Sequence, residues 1–149
     1  MSDLAYRRAT AADLPFIVWL GTIDDVSGNA GDDPAVPLPP HYAEALAAID
    51  ADPRQELFVA ELEGRPVGTF QLTYIPGIMR RGMWRCLIEA VHVAPEARSR
   101  GIGSHMLRWA ADRARARGCG VLQLTSNKKR TDAHRFYRRL GFDASHEGF

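Results

Sequence analysis

The run Val91-His92-Val93-Ala94-Pro95-Glu96-Ala97-Arg98-Ser99-Arg100-Gly101-Ile102-Gly103-Ser104-His105-Met106-Leu107 constrains the fold of this chain more than any other stretch. It reads as an apolar strand, a short basic turn with two glycines, and an amphipathic helix. In that order, the first N–H groups of the helix lie at the strand's end without intrahelical partners, and the helix dipole adds partial positive charge there. Gly101 and Gly103 carry no Cβ, so an anionic oxygen can approach the main chain. Arg98 and Arg100 add full charges to the rim. Such a turn suits a pyrophosphate; the alternative is a glycine-containing connection that binds nothing.

Two common pyrophosphate motifs are absent. A dinucleotide fingerprint requires a third glycine three residues on, where this chain has Met106 after Ser104 and His105; a Walker loop requires Gly-Lys-Ser/Thr. What remains is Arg98-x-x-Gly101-x-Gly103 between a Val-x-Val strand and a helix. That run resembles the coenzyme A pyrophosphate loop of the GNAT superfamily of acyl-CoA-dependent N-acyltransferases. A second match follows in the family's order. After the apolar stretch Val121-Leu122-Gln123-Leu124-Thr125 and the polar run Ser126-Asn127-Lys128-Lys129-Arg130-Thr131, Asp132 is placed to cap a helix. That helix carries Ala133, Phe136, Tyr137 and Leu140 on one face and ends at Gly141. Ala-x-x-Phe-Tyr-x-x-Leu-Gly-Phe resembles the last helix and strand entry of the same superfamily.

The chain's 149 residues, 46% of them hydrophobic, suit a single domain spanning 1–149 with a proper core. A net charge of +1 gives no global field towards nucleic acid or membrane. Cys86 and Cys119 stand alone, with neither zinc-ligand spacing nor a disulfide framework. No apolar run reaches the length of a membrane span, and Met1-Ser2-Asp3-Leu4 does not open a signal peptide. These features point to the reducing cytoplasm.

Period-two runs predict strands at 4–8, 55–62, 66–74 and 83–93, and the later apolar runs add 121–125 and a short 142–146. Helices are expected at about 11–20 (capped by Thr10), 41–50, 101–117 and 132–140. Residues 21–40 hold four prolines, three glycines and four aspartates and read as a long functional loop. The order implies an α+β fold. By the resemblance it is a mixed, mostly antiparallel sheet with helices on both faces and a splayed central pair of parallel strands.

The resemblance also implies a chemistry: transfer of an acetyl group from acetyl-CoA to a primary amine by direct attack in a ternary complex. Main-chain groups of Val91, His92 and Val93 would pair with the pantetheine arm. A backbone N–H near Val93 would meet the thioester oxygen. The pyrophosphate would lie on Arg98, Ser99, Arg100, Gly101, Ile102, Gly103 and Ser104. An alkylammonium is almost wholly protonated at neutrality, so a base is needed. Glu89 is the first candidate, since simple alternation puts it on one face with Val91 and Val93; its alternative is a strand ion pair with Arg85. His92, expected on the opposite face, is the second. Tyr137 is the candidate proton donor to the departing thiolate. The family's asparagine before the last helix has no counterpart at Arg130; Asn127, three residues earlier, is the substitute, and Lys128, Lys129 and Arg130 could meet a 3′-phosphate instead. The acceptor pocket is expected from the first two helices, the 21–40 loop with Asp24, Asp25, Asp32 and Asp33, and the 74–84 connection with its arginines. A small-molecule amine suits it, with neither nucleic acid nor membrane as partner; the short last strand allows a homodimer. The rival readings are a non-catalytic acyl-CoA-binding sensor and a nucleotide-binding regulator.

Overall fold

A computed structural model describes residues 3–28 and 30–149. Met1 and Ser2, where the absence of a leader was expected, and Asn29 in the long loop lie outside the described residues. Strand β1 (Leu4–Arg8) leads through a 3-10 turn at Ala11–Asp13 into helix α1 (Leu14–Ile23). Thr10 stands at the N-cap position, as expected, and Asp13 forms the capping box with it: Asp13 accepts the Thr10 N–H at 2.7 Å and N–H groups from both terminal guanidinium nitrogens of Arg7 at 2.7 and 2.8 Å. Helix α2 (Pro40–Ala51) follows the long loop, and strands β2 (Gln55–Leu62) and β3 (Arg65–Ile75) form a hairpin. A short turn α3 (Met79–Gly82) precedes β4 (Trp84–Val93), which leads to α4 (Ile102–Ala116), β5 (Cys119–Gln123) and α5 (Thr131–Arg139).

The five strands lie in sequence order, antiparallel from β1 to β4 and parallel between β4 and β5. β2 and β3 are buried on both faces, as near-continuous apolar runs require. On one face Leu57 and Val59 pack with Leu14 and Leu46 of α1 and α2. On the other, Phe58, Phe70 and Leu72 pack with Ile102, Met106 and Ala110 of α4. Glu56 is buried beneath α4, where Arg113 donates to it through Nε at 2.8 Å and again through Nη2. The Tyr74 hydroxyl donates to the same carboxylate at 2.5 Å.

Three local expectations are corrected. Residues 142–146 form no strand, although Phe142 still packs on the core; the stretch carries Asp143, Ser145 and His146 and has little apolar surface to bury. Strand β5 starts and ends two residues earlier than expected, because pairing with β4 begins at Cys119. Helix α5 is flanked by Arg130 at its N-cap position, so Asp132 sits in its first turn, paired with Arg135, and not at the cap.

Candidate active site

β4 and β5 pair only from Trp84 to Leu87 on β4 and from Cys119 to Gln123 on β5. Beyond Leu87 the two strands part, as expected of a splayed pair. A cleft of about 80 Å³ opens there, walled by Glu89, Val91 and His92 of β4 and by Leu124, Ser126, Arg130 and Tyr137 opposite.

The wall of β4 does not alternate as its sequence suggests. Thr69 of β3 faces His92 and Gln71 faces Glu89, so Phe70 alone is opposed by two residues, Ala90 and Val91. This is a β-bulge, and Ala90 sits in the left-handed region at φ 51° to make it. The extra residue shifts the pleat by one. Glu89 and His92, three apart, therefore share a face, and Glu89 no longer shares one with Val91. His92 thus looks into the cleft beside Glu89 and not away from it. Glu89 is exposed and makes no ion pair among the described residues, Arg85 included.

The end of β4 presents its main chain to the cleft. The Ala94 N–H donates to the Val67 carbonyl at 2.8 Å, so the preceding pair, Gly68 and Val93, is of the non-hydrogen-bonded kind. The N–H and C=O of Val93 consequently point away from β3, towards the gap. Arg98 Nε donates to that carbonyl at 3.0 Å, which leaves the Val93 N–H facing the cleft.

The turn before α4 has the geometry of an anion cradle. Ser99 (φ 61°) and Gly101 (φ 78°) are left-handed on either side of Arg100, and the N–H groups of Ile102, Gly103 and Ser104 make no hydrogen bond among the described residues. Glycine at 101 answers the backbone: a Cβ there would meet open space but would have to adopt that φ. Gly103 also answers a packing demand. A Cβ on it would lie 3.3 Å from Phe136 Cζ and 3.8 Å from Val93 Cγ2, so its bareness lets α4 settle against α5 and β4. Arg98, exposed at the start of the turn, is tied back to α1: its Nη2 donates to Asp24 Oδ1 at 2.8 Å. Arg100 remains exposed, available to an anion on the free N–H groups. These bare nitrogens and the neighbouring cation suit a diphosphate.

Across the cleft, Tyr137 is wedged between Phe136 (ring centroids 5.3 Å) and Phe142 (5.8 Å). Burial raises its phenol above the ordinary range, with the charge of Arg130 pulling weakly the other way. Ser126 Oγ, also on this wall, is buried without a hydrogen-bond partner, an unmet polar atom that a ligand in the cleft would satisfy. Asn127 is not directed at the cleft. Its Oδ1 accepts the Lys129 N–H at 2.9 Å, while its carbonyl accepts the Arg130 N–H at 3.0 Å and contacts His134 Nε2 at 2.9 Å. It shapes the turn into α5, and Arg130 takes the place in the wall.

Two acceptor-side expectations also change. Asp24, just past α1, is not a free acidic patch: Oδ2 lies 2.6 Å from His92 Nδ1 and Oδ1 holds Arg98. Burial alone would raise its carboxyl, but the bond to His92 and the charges of His92, Arg98 and Arg130 outweigh that and hold it below the usual carboxylate range. The 74–84 connection lies at the wrong end of β4, since five strand residues, roughly 17 Å, separate Trp84 from Glu89. Arg80 and Arg81 are therefore remote from the cleft. No sequence signal joins Asp24 to His92, 68 positions apart.

Among the described residues no helix is long and apolar enough to cross a membrane. The sequence matches the acetyltransferase (GNAT) family over residues 24–142. It is 35% identical to an aminoalkylphosphonate N-acetyltransferase of Salmonella typhimurium strain LT2 over 108 residues, 72% of this chain and 70% of that protein. Its fold superposes on a structure described as a transcriptional regulator from Bacillus halodurans C-125, with a TM-score of 0.91 and 43% identity over 98% of this chain and 97% of that one. AAC(6′)-Iy in complex with the bisubstrate analogue CoA-S-monomethyl-acetylneamine has the same fold, at a TM-score of 0.74 and 16% identity over 98% and 95% of the two chains.

Proposed function

The chain belongs to the acetyltransferase (GNAT) family, and from that premise we propose that it moves an acetyl group from acetyl-CoA to a primary amine on a small molecule, by direct attack in a ternary complex. The observation that carries this reading is the opening of β4 from β5 beyond Leu87, beside the free N–H groups of the α4 turn. Residues 99–104 would hold the diphosphate, and the freed edge of β4 from Val91 to Val93 would receive the pantetheine amides as an added strand would. The Val93 N–H then meets the thioester oxygen as charge develops on it.

In this reading Glu89 meets the acceptor's ammonium, and its proton passes to Glu89, directly or through water, or to His92. The amine lone pair forms the C–N bond, the C–S pair returns to sulfur, and Tyr137, kept protonated by its burial, supplies the thiolate's proton. The nitrogen's remaining excess proton returns to the phenolate. Arg130 is the cation that an acidic group on the acceptor would meet. The Salmonella relative makes 2-aminoethylphosphonate the first acceptor to try, and neamine the second because of the AAC(6′)-Iy complex. The free thiols Cys86 and Cys119 suit a reducing cytoplasm, and the outer edge of β5, without a strand partner among the described residues, offers a surface for a homodimer.

The test is release of coenzyme A thiol from acetyl-CoA in the presence of each amine, with acetyl-CoA binding followed by calorimetry. Amine-dependent release supports the proposal. Binding without release with any amine would leave an acyl-CoA sensor, and absence of binding would remove the proposal altogether.

A further inference from the structure

We propose that His92 is the side chain that takes the acceptor's proton and that Asp24 is the residue that positions it, an inference that rests on the transferase reading above. Three observations meet here. The bulge at Ala90 turns His92 onto the face of Glu89, and both residues line the cleft. Asp24 Oδ2 stands 2.6 Å from His92 Nδ1, with the two side chains only 11% and 16% exposed, so little water competes for that bond. Arg98 then fixes the aspartate: Nη2 donates to Asp24 Oδ1 at 2.8 Å, while Nε donates to the Val93 carbonyl at 3.0 Å.

The arrangement assigns the imidazole's protons. A carboxylate kept ionised accepts from Nδ1–H, so the neutral ring carries its lone pair on Nε2. A ring so oriented presents a base where the amine must lose its proton. An imidazole titrates nearer neutrality than a carboxylate and is the better-matched general base there. Glu89 on the same wall is then free to hold the ammonium by charge. The other charged or titratable groups around the pair are Glu89 on the same wall, Arg98 on Asp24, and Arg130 and Tyr137 across the cleft. Nε2 takes one ammonium proton and later yields it to solvent; the lone pair left on nitrogen forms the C–N bond, the C–S pair goes to sulfur, and the second proton reaches sulfur by way of Tyr137. Arg98 belongs to the turn that would carry the diphosphate, so the same guanidinium ties the carrier's seat to the aspartate that aims the base.

The experiment compares kcat across about pH 5–9 for the wild type, His92→Ala, Asp24→Asn and Glu89→Gln, using thiol release with acetyl-CoA and 2-aminoethylphosphonate, or neamine if that is the faster acceptor. His92→Ala is expected to lose about 10²–10⁴-fold in kcat and the limb near neutrality, and added imidazole to restore at least about tenfold of it. Asp24→Asn lowers kcat by about tenfold or more and alters the pH profile, because the ring loses the carboxylate that orients it. Glu89→Gln raises the amine's KM and keeps the limb. Unchanged calorimetric binding of acetyl-CoA in each variant separates these effects from misfolding. A His92→Ala enzyme with wild-type kcat and profile, or a limb lost from Glu89→Gln instead, overturns the assignment of the base. An Asp24→Asn profile superimposable on the wild type overturns the positioning role. A wild type that turns over no amine overturns the transferase reading and this inference with it, a result distinct from any variant-specific failure.

Discussion

Replacing Glu56 by glutamine isolates the largest buried charge cluster in the molecule. Its side chain is 5% exposed and faces three guanidinium groups: Arg113 in a two-pronged bond, Arg8 at 3.7 Å and Arg117 at 3.8 Å. Arg113 also lies over the rings of Phe58 and Trp109, at 5.1 and 5.5 Å, and Arg117 over Tyr74 at 4.0 Å, so none can swing away without losing a face contact. Glutamine keeps the shape but leaves Arg113 and Arg117 without a carboxylate, while Arg8 keeps Asp50 at 3.4 Å. Removing one partner of a buried pair costs about 3–5 kcal/mol; here the arginines are 35–43% exposed and partly hydrated, so the lower end, about 3 kcal/mol, applies. For a chain of this size that is a fall of roughly 6–12 °C in Tm. The pH dependence gives the sharper check. Burial pushes the Glu56 carboxyl up, but the hydrogen bonds from Arg113 and Tyr74 and the arginine charges outweigh it and hold the group below its usual range. A folded-state value below the unfolded one contributes stability that is complete above about pH 4.3 and disappears as pH falls through the folded value. Thermal melts followed by circular dichroism should therefore show a wide gap between wild type and Glu56→Gln near neutrality that narrows in acid. A gap of under about 2 °C near neutrality, or one that does not shrink in acid, would refute this account.

Three further outcomes follow from the cleft and its approach. Tyr137→Phe should lower kcat by about 10–100-fold, with the acetyl-CoA dissociation constant unchanged by calorimetry, because a thiolate is already a fair leaving group. Gly101→Val forces a branched side chain into φ 78° and should cost about 1–2 kcal/mol of stability, as well as weakening acetyl-CoA binding more than Arg98→Ala does. Ala90→Gly relieves the left-handed strain at φ 51° while keeping the bulge; denaturant melts should show no loss of stability, and turnover should persist.

Much of this architecture was legible in the sequence because its signals are local. Period two exposed β2, β3 and β4; the stripe of Ile102, Met106, Leu107, Ala110 and Ala114, all buried, marked α4; and a left-handed Gly141 stopped α5 where expected. The turn before α4 and the place of Tyr137 were likewise readable from residue order. What escaped depends on contacts between distant segments. No letter marks Ala90 as the bulged residue, because the extra position arises from how β4 registers against β3. Asp24 meets His92 and Arg98 only once α1 has packed on the sheet. The packing of Gly103 against Phe136, and the bonds by which Asn127 shapes the turn into α5, are likewise invisible in residue order. The 142–146 stretch alternates weakly, and period alone could not disclose that no neighbouring strand receives it.

The misaligned pleat at Ala90 has an implication for comparing this enzyme with its relatives. Wherever a relative's fourth strand lacks the additional residue, the position three before its counterpart of His92 will look out from the reverse side. Role assignments carried across by counting in twos will then pair unlike side chains. A one-residue insertion or loss in that strand is thus enough to exchange the side chains lining the cleft while the turn before α4 stays untouched.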